Sequence, residues 1–175
     1  MIRPLRLLAV LSSLCCSAAA APNADPFPSA PNIKGLQVQM TDDALALGIH
    51  HAGVNVNLTA LLDLEKKPEN PKRSAGGEEF SFNEHYLASL DRQVKPLSDK
   101  GILVYLILIA YPSKDAARDA VVIPPGSRRD YQYSVGAFNS ATPQGQHYLQ
   151  AVTELLASRW SGPSSDHGRV WGWIV

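Results

Sequence analysis

Cysteine is nearly missing from this chain of 175 residues: there are two, Cys15 and Cys16, side by side near the start. Everything after them is free of thiol, which excludes disulfides, thiolate nucleophiles and cysteine-ligated metals there. Basic runs are lacking too. Lys plus Arg and Asp plus Glu both total 16, and no segment gathers the positive face that nucleic-acid binding needs. The longest apolar run is too short to span a bilayer. A Gly-rich phosphate loop and a Gly-x-Ser-x-Gly nucleophile elbow are both absent, which argues against dinucleotide binding and against an α/β-hydrolase. No motif calls for a cofactor or a metal.

What is present begins with Met1-Ile2-Arg3-Pro4-Leu5-Arg6, followed by an apolar run to Cys16 and then Ser17-Ala18-Ala19-Ala20-Ala21-Pro22. Two arginines, a short apolar stretch and small residues before a proline make residues 1–21 a secretory signal peptide. The reading is therefore export to the periplasm or exterior, with no membrane attachment once the leader is removed. Loss of Arg3 and Arg6 leaves a slightly acidic chain. Residues 22–32, rich in Pro and Asn, read as a linker, and residues 33–175 as one α/β domain or a large piece of one.

Along that domain, strand and helix signals alternate. Residues 33–39 alternate as a first strand. Thr41 caps a helix with Asp42 and Asp43 in its first turn and Gly48 near its end. Ala52-Gly53-Val54-Asn55-Val56-Asn57-Leu58 is a second strand. Residues 64–79 are polar and read as a surface loop. Ser81-Phe82-Asn83-Glu84 has capping-box spacing, with Ser81 as the cap of a helix that Pro96 should kink or end early. Residues 102–110 are almost continuously apolar, as in a strand buried on both faces. A second long loop is expected over 111–141, then a helix capped by Thr142 with Pro143 in its first turn. Residues 170–175 make a closing strand, with Trp171 and Trp173 on one side of it.

Alternation of this kind specifies a parallel sheet with helices packed outside. Without a phosphate loop, and with long loops after strands two and three, the pattern predicts the N-terminal half of a (β/α)₈ TIM barrel, about four βα units, truncated. The end of the chain on bulky apolar residues agrees with that expectation, and unpaired edges predict self-association of the piece alone. Ligand contacts are then expected at the C-terminal ends of strands: Gln37 and Gln39, Asn55 and Asn57, and Tyr111. Side-chain amides and phenols both donate and accept hydrogen bonds, which suits neutral polyhydroxylated ligands. Asn57-Leu58-Thr59 also matches a glycosylation sequon, poorly exposed at a strand end. His50-His51 fall at the opposite rim and read as solvated or dipole-favoured. Glu78-Glu79 and Glu84 read as loop and cap residues, and Arg128-Arg129-Asp130-Tyr131 as a solvated turn.

Val170-Trp171-Gly172-Trp173-Ile174-Val175 resembles the fourth strand of retaining glycoside hydrolases of the large (β/α)₈ clan, just ahead of their Gly-Asn-Glu element. Lys34-Gly35-Leu36-Gln37-Val38-Gln39 with Asp42-Asp43-Ala44, His51-Ala52-Gly53-Val54-Asn55-Val56-Asn57-Leu58 and Tyr105-Leu106-Ile107-Leu108 are similar to an exported bacterial family of glycosidase-like barrels labelled a domain of unknown function. The resemblance implies a double-displacement hydrolase of poly- or oligosaccharide, with one glutamate as acid/base after strand four and another as nucleophile after strand seven. Both would follow Val175, so no catalytic residue is assigned within the chain and the 175 residues alone are expected to be inactive. A non-catalytic carbohydrate-binding or cell-surface barrel is the alternative. The export reading has a direct check: N-terminal sequencing of the product expressed in a bacterial host should begin at Ala21 or Pro22, and a product retaining Met1 overturns it.

Overall fold

The computed structural model describes residues 27–127, 136–162 and 166–175. The leader expected over residues 1–21 lies outside them, and so does the Arg128–Tyr131 segment. Four parallel strands form the central sheet: β1 (Gly35–Gln37), β2 (His51–Asn57), β6 (Leu103–Ile109) and β7 (Gly172–Ile174), side by side in that order. Gly35 pairs with His51, His51 with Leu103, and Tyr105 with Gly172. Three helices connect them: α1 (Thr41–Ala46), α3 (Glu84–Asp99) and α5 (Pro143–Trp160). The chain is thus α/β with a parallel sheet, as the alternating pattern predicts.

Each crossover moves to the next strand in the same direction. Right-handed connections of that kind put all the helices on one face. Burial agrees. Ala52, Val54 and Val56 of β2 and Val104, Leu106 and Leu108 of β6 are buried in one cluster with Ala44 of α1, Leu87, Leu90, Val94 and Leu97 of α3, and Ala151, Val152, Leu155 and Leu156 of α5. The alternate positions His51, Gly53, Asn55 and Asn57, with Tyr105, Ile107 and Ile109, are only half-buried. So β6 is not covered on both faces as its apolar run suggests. The two indoles also part: Trp173 packs against the core cluster, whereas Trp171 is 50% exposed and meets Tyr105 edge to face, with ring centroids 5.1 Å apart.

The connections differ from expectation where short elements hide in polar sequence. Residues 64–79 are not a plain loop. They contribute to an antiparallel sheet of β3 (Leu62–Asp63), β5 (Glu78–Phe82) and β4 (Lys72–Ala75), in that order. Gly76 and Gly77, with φ of 58° and 82°, make the two-residue turn that positive φ at both central positions requires. Phe80 and Phe82 anchor the sheet to the core, against Tyr148. The expected loop over 111–141 contains α4 (Ala116–Val122), capped by Asp115, whose carboxylate accepts from the amides of Ala117 and Arg118. A one-turn helix, α2 (Leu58–Leu61), follows β2.

Two local expectations are corrected. Asn83, not Ser81, caps α3, accepting from the Tyr86 amide, and the Ser81 hydroxyl turns instead to the Asp63 carboxylate. Pro96 does not end α3, which continues to Asp99. It deprives only the carbonyl of Arg92, an exposed residue that water can serve. The expected linker is tied down at its end: the Arg169 guanidinium lies 3.6 Å over the Phe27 ring, and a His51 ring nitrogen is 3.2 Å from the Asn32 carbonyl. No helix among the described residues is long and apolar enough to cross a membrane.

Carboxylates at two points organise the polar periphery. Asp63 accepts from the amides of Glu65 and Lys67, the Asn70 side chain and the Ser81 hydroxyl. Asp91 of α3 accepts from Arg159, Trp160 and His167. Burial pushes both carboxyls upward, but those donors outweigh it and hold each below its ordinary 3.8. A lowered folded value means the stabilisation is complete above the ordinary pKa and is lost as pH falls through the folded one. Asp63→Asn sets an NH₂ against those donors and should cost about 1–3 kcal/mol at neutral pH. Urea unfolding measures this, and the variant should also show a shallower loss of stability on acidification. Equal midpoints for variant and parent would refute the role.

Candidate functional site

In a parallel sheet all strand C-termini share one rim, and here the elaborate connections sit on it. The short turns, after α1 and α3, lie at the other end, whereas β2 leads into α2 and the antiparallel sheet and β6 leads into α4. Loops on that rim are where such sheets bind ligands.

The sequence-predicted residues fall into two pairs. On the open face, the Gln37 side-chain amide donates to Asn55 Oδ1 at 2.8 Å. This leaves one carbonyl, on Gln37, and one NH₂, on Asn55, directed away from the pair's shared bond. At the rim, Asn57 and Tyr111 line one cleft of about 470 Å³ with Lys114, Asp115 and Arg118. Asn57 Oδ1 is occupied, accepting from the amides of Thr59 and Ala60 as the cap of α2. Its NH₂ is the part left for a ligand. Tyr111 is 37% exposed, and its carbonyl accepts from the buried Thr59 hydroxyl at 2.6 Å. Gln39 is exposed beyond β1 and joins neither pair.

Three supporting residues escaped the sequence reading. Tyr86 of α3 accepts the Asn57 amide hydrogen bond at 2.7 Å, fixing the end of β2. Burial raises its phenol above the ordinary value, with the Asn57 amide opposing. Arg118 donates from Nη1 to the carbonyls of Thr59 and Leu62, joining α4 to the end of α2. Asp119 is fully buried and accepts from both the amide and the hydroxyl of Ser113, shaping the loop after β6. A capping Asp at 115 and a helix-like Ala-Ala-Arg-Asp-Ala run were the signals available for the last two. Nothing local marks Tyr86, because its partner is distant in sequence.

Other candidates settle elsewhere. His51 stacks on Tyr105 and its Nδ1 lies 3.1 Å from the Tyr105 hydroxyl, at the opposite rim. His147 lies 3.3 Å from Glu78, which belongs to β5 rather than a loop. Glu84 pairs with Arg159 at 2.7 Å. The sequon threonine, Thr59, is buried, and Asn57 is committed to its cap. Among the described residues no group of three or more His, Asp or Glu is placed to hold a metal. The groups at this rim are amides, a phenol, an ammonium, a carboxylate and a guanidinium, all able to hydrogen-bond a ligand.

Asn55 and Asn57 differ in what they support, which two variants separate. Asn57→Ala removes a helix cap and should cost about 1 kcal/mol of stability. Asn55→Ala removes only a half-exposed contact and should change stability by less than about 0.5 kcal/mol. Thermal melts check both, and equal losses would refute the distinction.

No curated protein and no solved structure matches the chain. The model of one family, described as a family of unknown function (DUF5722), matches residues 26–175, nearly the whole sequence. By that match the chain belongs to the DUF5722 family.

Proposed function

We propose that these residues are the N-terminal half of an exported (β/α)₈ barrel that binds poly- or oligosaccharide at the C-terminal rim of its strands and acts as a glycoside hydrolase when complete. The observation that carries this reading is the uncovered sheet face. Sequential strands with every connecting helix on one side leave Asn55, Tyr105, Ile107 and Ile109 half-buried on the other, and Ile174 is 51% exposed. Such a face is the wall of a lumen if further strands continue beyond β7 and the sheet closes. The rim then presents Gln37, Asn55, Asn57 and Tyr111 toward one opening. Their neutral donors and acceptors suit sugar hydroxyls.

The resemblance to retaining glycoside hydrolases assigns the acid/base to the end of strand four and the nucleophile to strand seven. Within the rim described here, Asp115 is spent on a helix cap and Asp119 on the Ser113 loop. Neither is poised for the acid–nucleophile pair, whose carboxyls stand about 5–5.5 Å apart in retaining enzymes. This reading therefore places both glutamates beyond Val175. Substrate binding belongs to this half, bond cleavage to residues of the other.

The same lack of poised carboxylates favours, as a second reading, a barrel that binds carbohydrate without cleaving it. One experiment separates them. The whole protein, exported and purified, should release reducing ends from at least one member of a polysaccharide panel, with retention at the anomeric carbon by NMR. Binding without release supports the second reading, and neither binding nor release from any member overturns both.

A further inference from the structure

We propose that the antiparallel insertion of residues 62–82 is the distal wall of a groove for a linear oligosaccharide chain, with Arg118 at the point where the chain leaves the mouth. The inference rests on the carbohydrate reading of the rim and extends it: the ligand is a chain, not a single terminal sugar.

The geometry points to this through three clefts in series. The mouth cleft holding Asn57 and Tyr111 shares Arg118 with a second cleft of about 430 Å³, lined by Glu65, Lys67, Glu69 and His85 among others. The second shares Leu62 and Asp63 with a third of about 230 Å³, which continues along β5 to Phe80. The first two are each of the size that small-molecule ligands occupy. Adjoining one another through these shared residues, they border the insertion and exceed what one sugar fills.

Arg118 is built to act at the junction. Its Nη1 makes both bonds to the carbonyls of Thr59 and Leu62, and its Nε stands 3.9 Å from Asp115. Nη2 has no protein partner among the described residues, leaving two N–H groups of an anchored, planar guanidinium for ligand oxygens. The wall beside it is preformed. Three hydrogen bonds to Asp63 wrap residues 63–70, a fourth from Ser81 ties them to β5, and the Asn70 side chain also accepts the Glu84 amide, so the segment is held to α3. A wall fixed in advance avoids the ordering cost of binding. Its outward groups, Glu65, Lys67, Glu69 and His85, are exposed hydrogen-bonding side chains, and Leu64 and Phe80 add apolar surface in the third cleft. That mixture suits a sugar chain, whose rings carry hydroxyls at their edges and C–H groups on their faces.

The test uses the whole protein and gluco-, manno-, xylo- and malto-oligosaccharides from monosaccharide to hexasaccharide, titrated calorimetrically. In the series that binds, affinity should rise with length. The double variant Glu69→Ala with His85→Ala should weaken the hexasaccharide about tenfold, the scale of one lost charge-assisted hydrogen bond, and leave the monosaccharide unchanged, whereas Arg118→Lys, which also lines the mouth, should weaken the hexasaccharide more than the monosaccharide. Tyr111→Ala should weaken both lengths. Glu69 and His85 are exposed and make no hydrogen bond among the described residues, so the double variant stays informative if Arg118→Lys misfolds. A hexasaccharide that binds no tighter than the monosaccharide, or variants that weaken both lengths alike, overturns the groove while the mouth site stands. Failure of every sugar to bind overturns the mouth reading and the groove with it.

Discussion

The handedness of the strand-to-strand crossovers constrains this molecule more than any single contact. β1, β2, β6 and β7 lie in chain order, so right-handed connections deliver α1, α3 and α5 to one side. The helices bury the Ala52–Val54–Val56 and Val104–Leu106–Leu108 rows against Leu87, Leu90, Val94 and Leu97. They cannot also bury the alternate rows. A doubly wound sheet avoids this by reversing direction partway, which sends helices to both faces and creates a ligand crevice at the reversal. No reversal occurs among these four strands. The functional question thereby becomes a topological one: the open face with its half-buried Tyr105, Ile107 and Ile109 wants either closure or a cover, and closure also brings the strand-end amides around a common opening.

The same order segregates tasks between the two rims. At the N-terminal ends of the strands the chain is economical. Gly48 and Gly101, both at positive φ, terminate α1 and α3 and lead almost directly into β2 and β6. At the C-terminal ends it is expansive, adding α2, three antiparallel strands and α4 between the same core elements. Those additions lend Leu58, Leu61, Leu62, Ala75, Phe80, Phe82, Val121 and Val122 to the core, and polar bonds hold them as well: Asp63 within the insertion, Arg118 from α4 to α2, and Tyr148, whose hydroxyl donates to the Leu58 carbonyl at 2.6 Å. A rim that is anchored in the core and tied by polar bonds has the makings of a recognition surface.

Much of this architecture is legible in the residues, and the gaps have physical causes. β2 and α5 are readable because period-two and period-3.6 patterns run long enough there to dominate, with Thr142 and Pro143 marking the start of α5. β4 and β5 are hidden because only Ala75, Phe80, Ser81 and Phe82 turn inward, and Lys72-Arg73 and Glu78-Glu79 give the segment the composition of a loop. The Gly76-Gly77 pair was the sole turn signal, and it needs strands on both sides to mean a hairpin. Ser81 misleads for a different reason. Its spacing to Glu84 satisfies the capping rule, but a buried carboxylate at Asp63 competes for the hydroxyl, and that partner is 18 residues away. The candidate site shows the same limit. Gln37, Asn55, Asn57 and Tyr111 could be chosen by strand-end position, whereas Tyr86 and Arg118 depend on tertiary contacts 29 and more residues apart.

Counting hydrogen-bond capacity at the rim then narrows what the site can recognise. A primary amide offers two donors and one carbonyl acceptor. Asn57 spends its carbonyl on the α2 cap and keeps its NH₂, while Gln37 and Asn55 spend one donor and one carbonyl on each other. Tyr111 commits its main-chain carbonyl to Thr59 and keeps the phenol. What remains unspent is a surplus of N–H donors, one amide carbonyl and a phenol that serves either way. A ligand rich in acceptor oxygens, each also carrying a hydrogen to give, uses all of these groups. The proposed polyhydroxylated ligand would use the atoms that the fold leaves unspent, whether or not a closed barrel goes on to cleave what it binds.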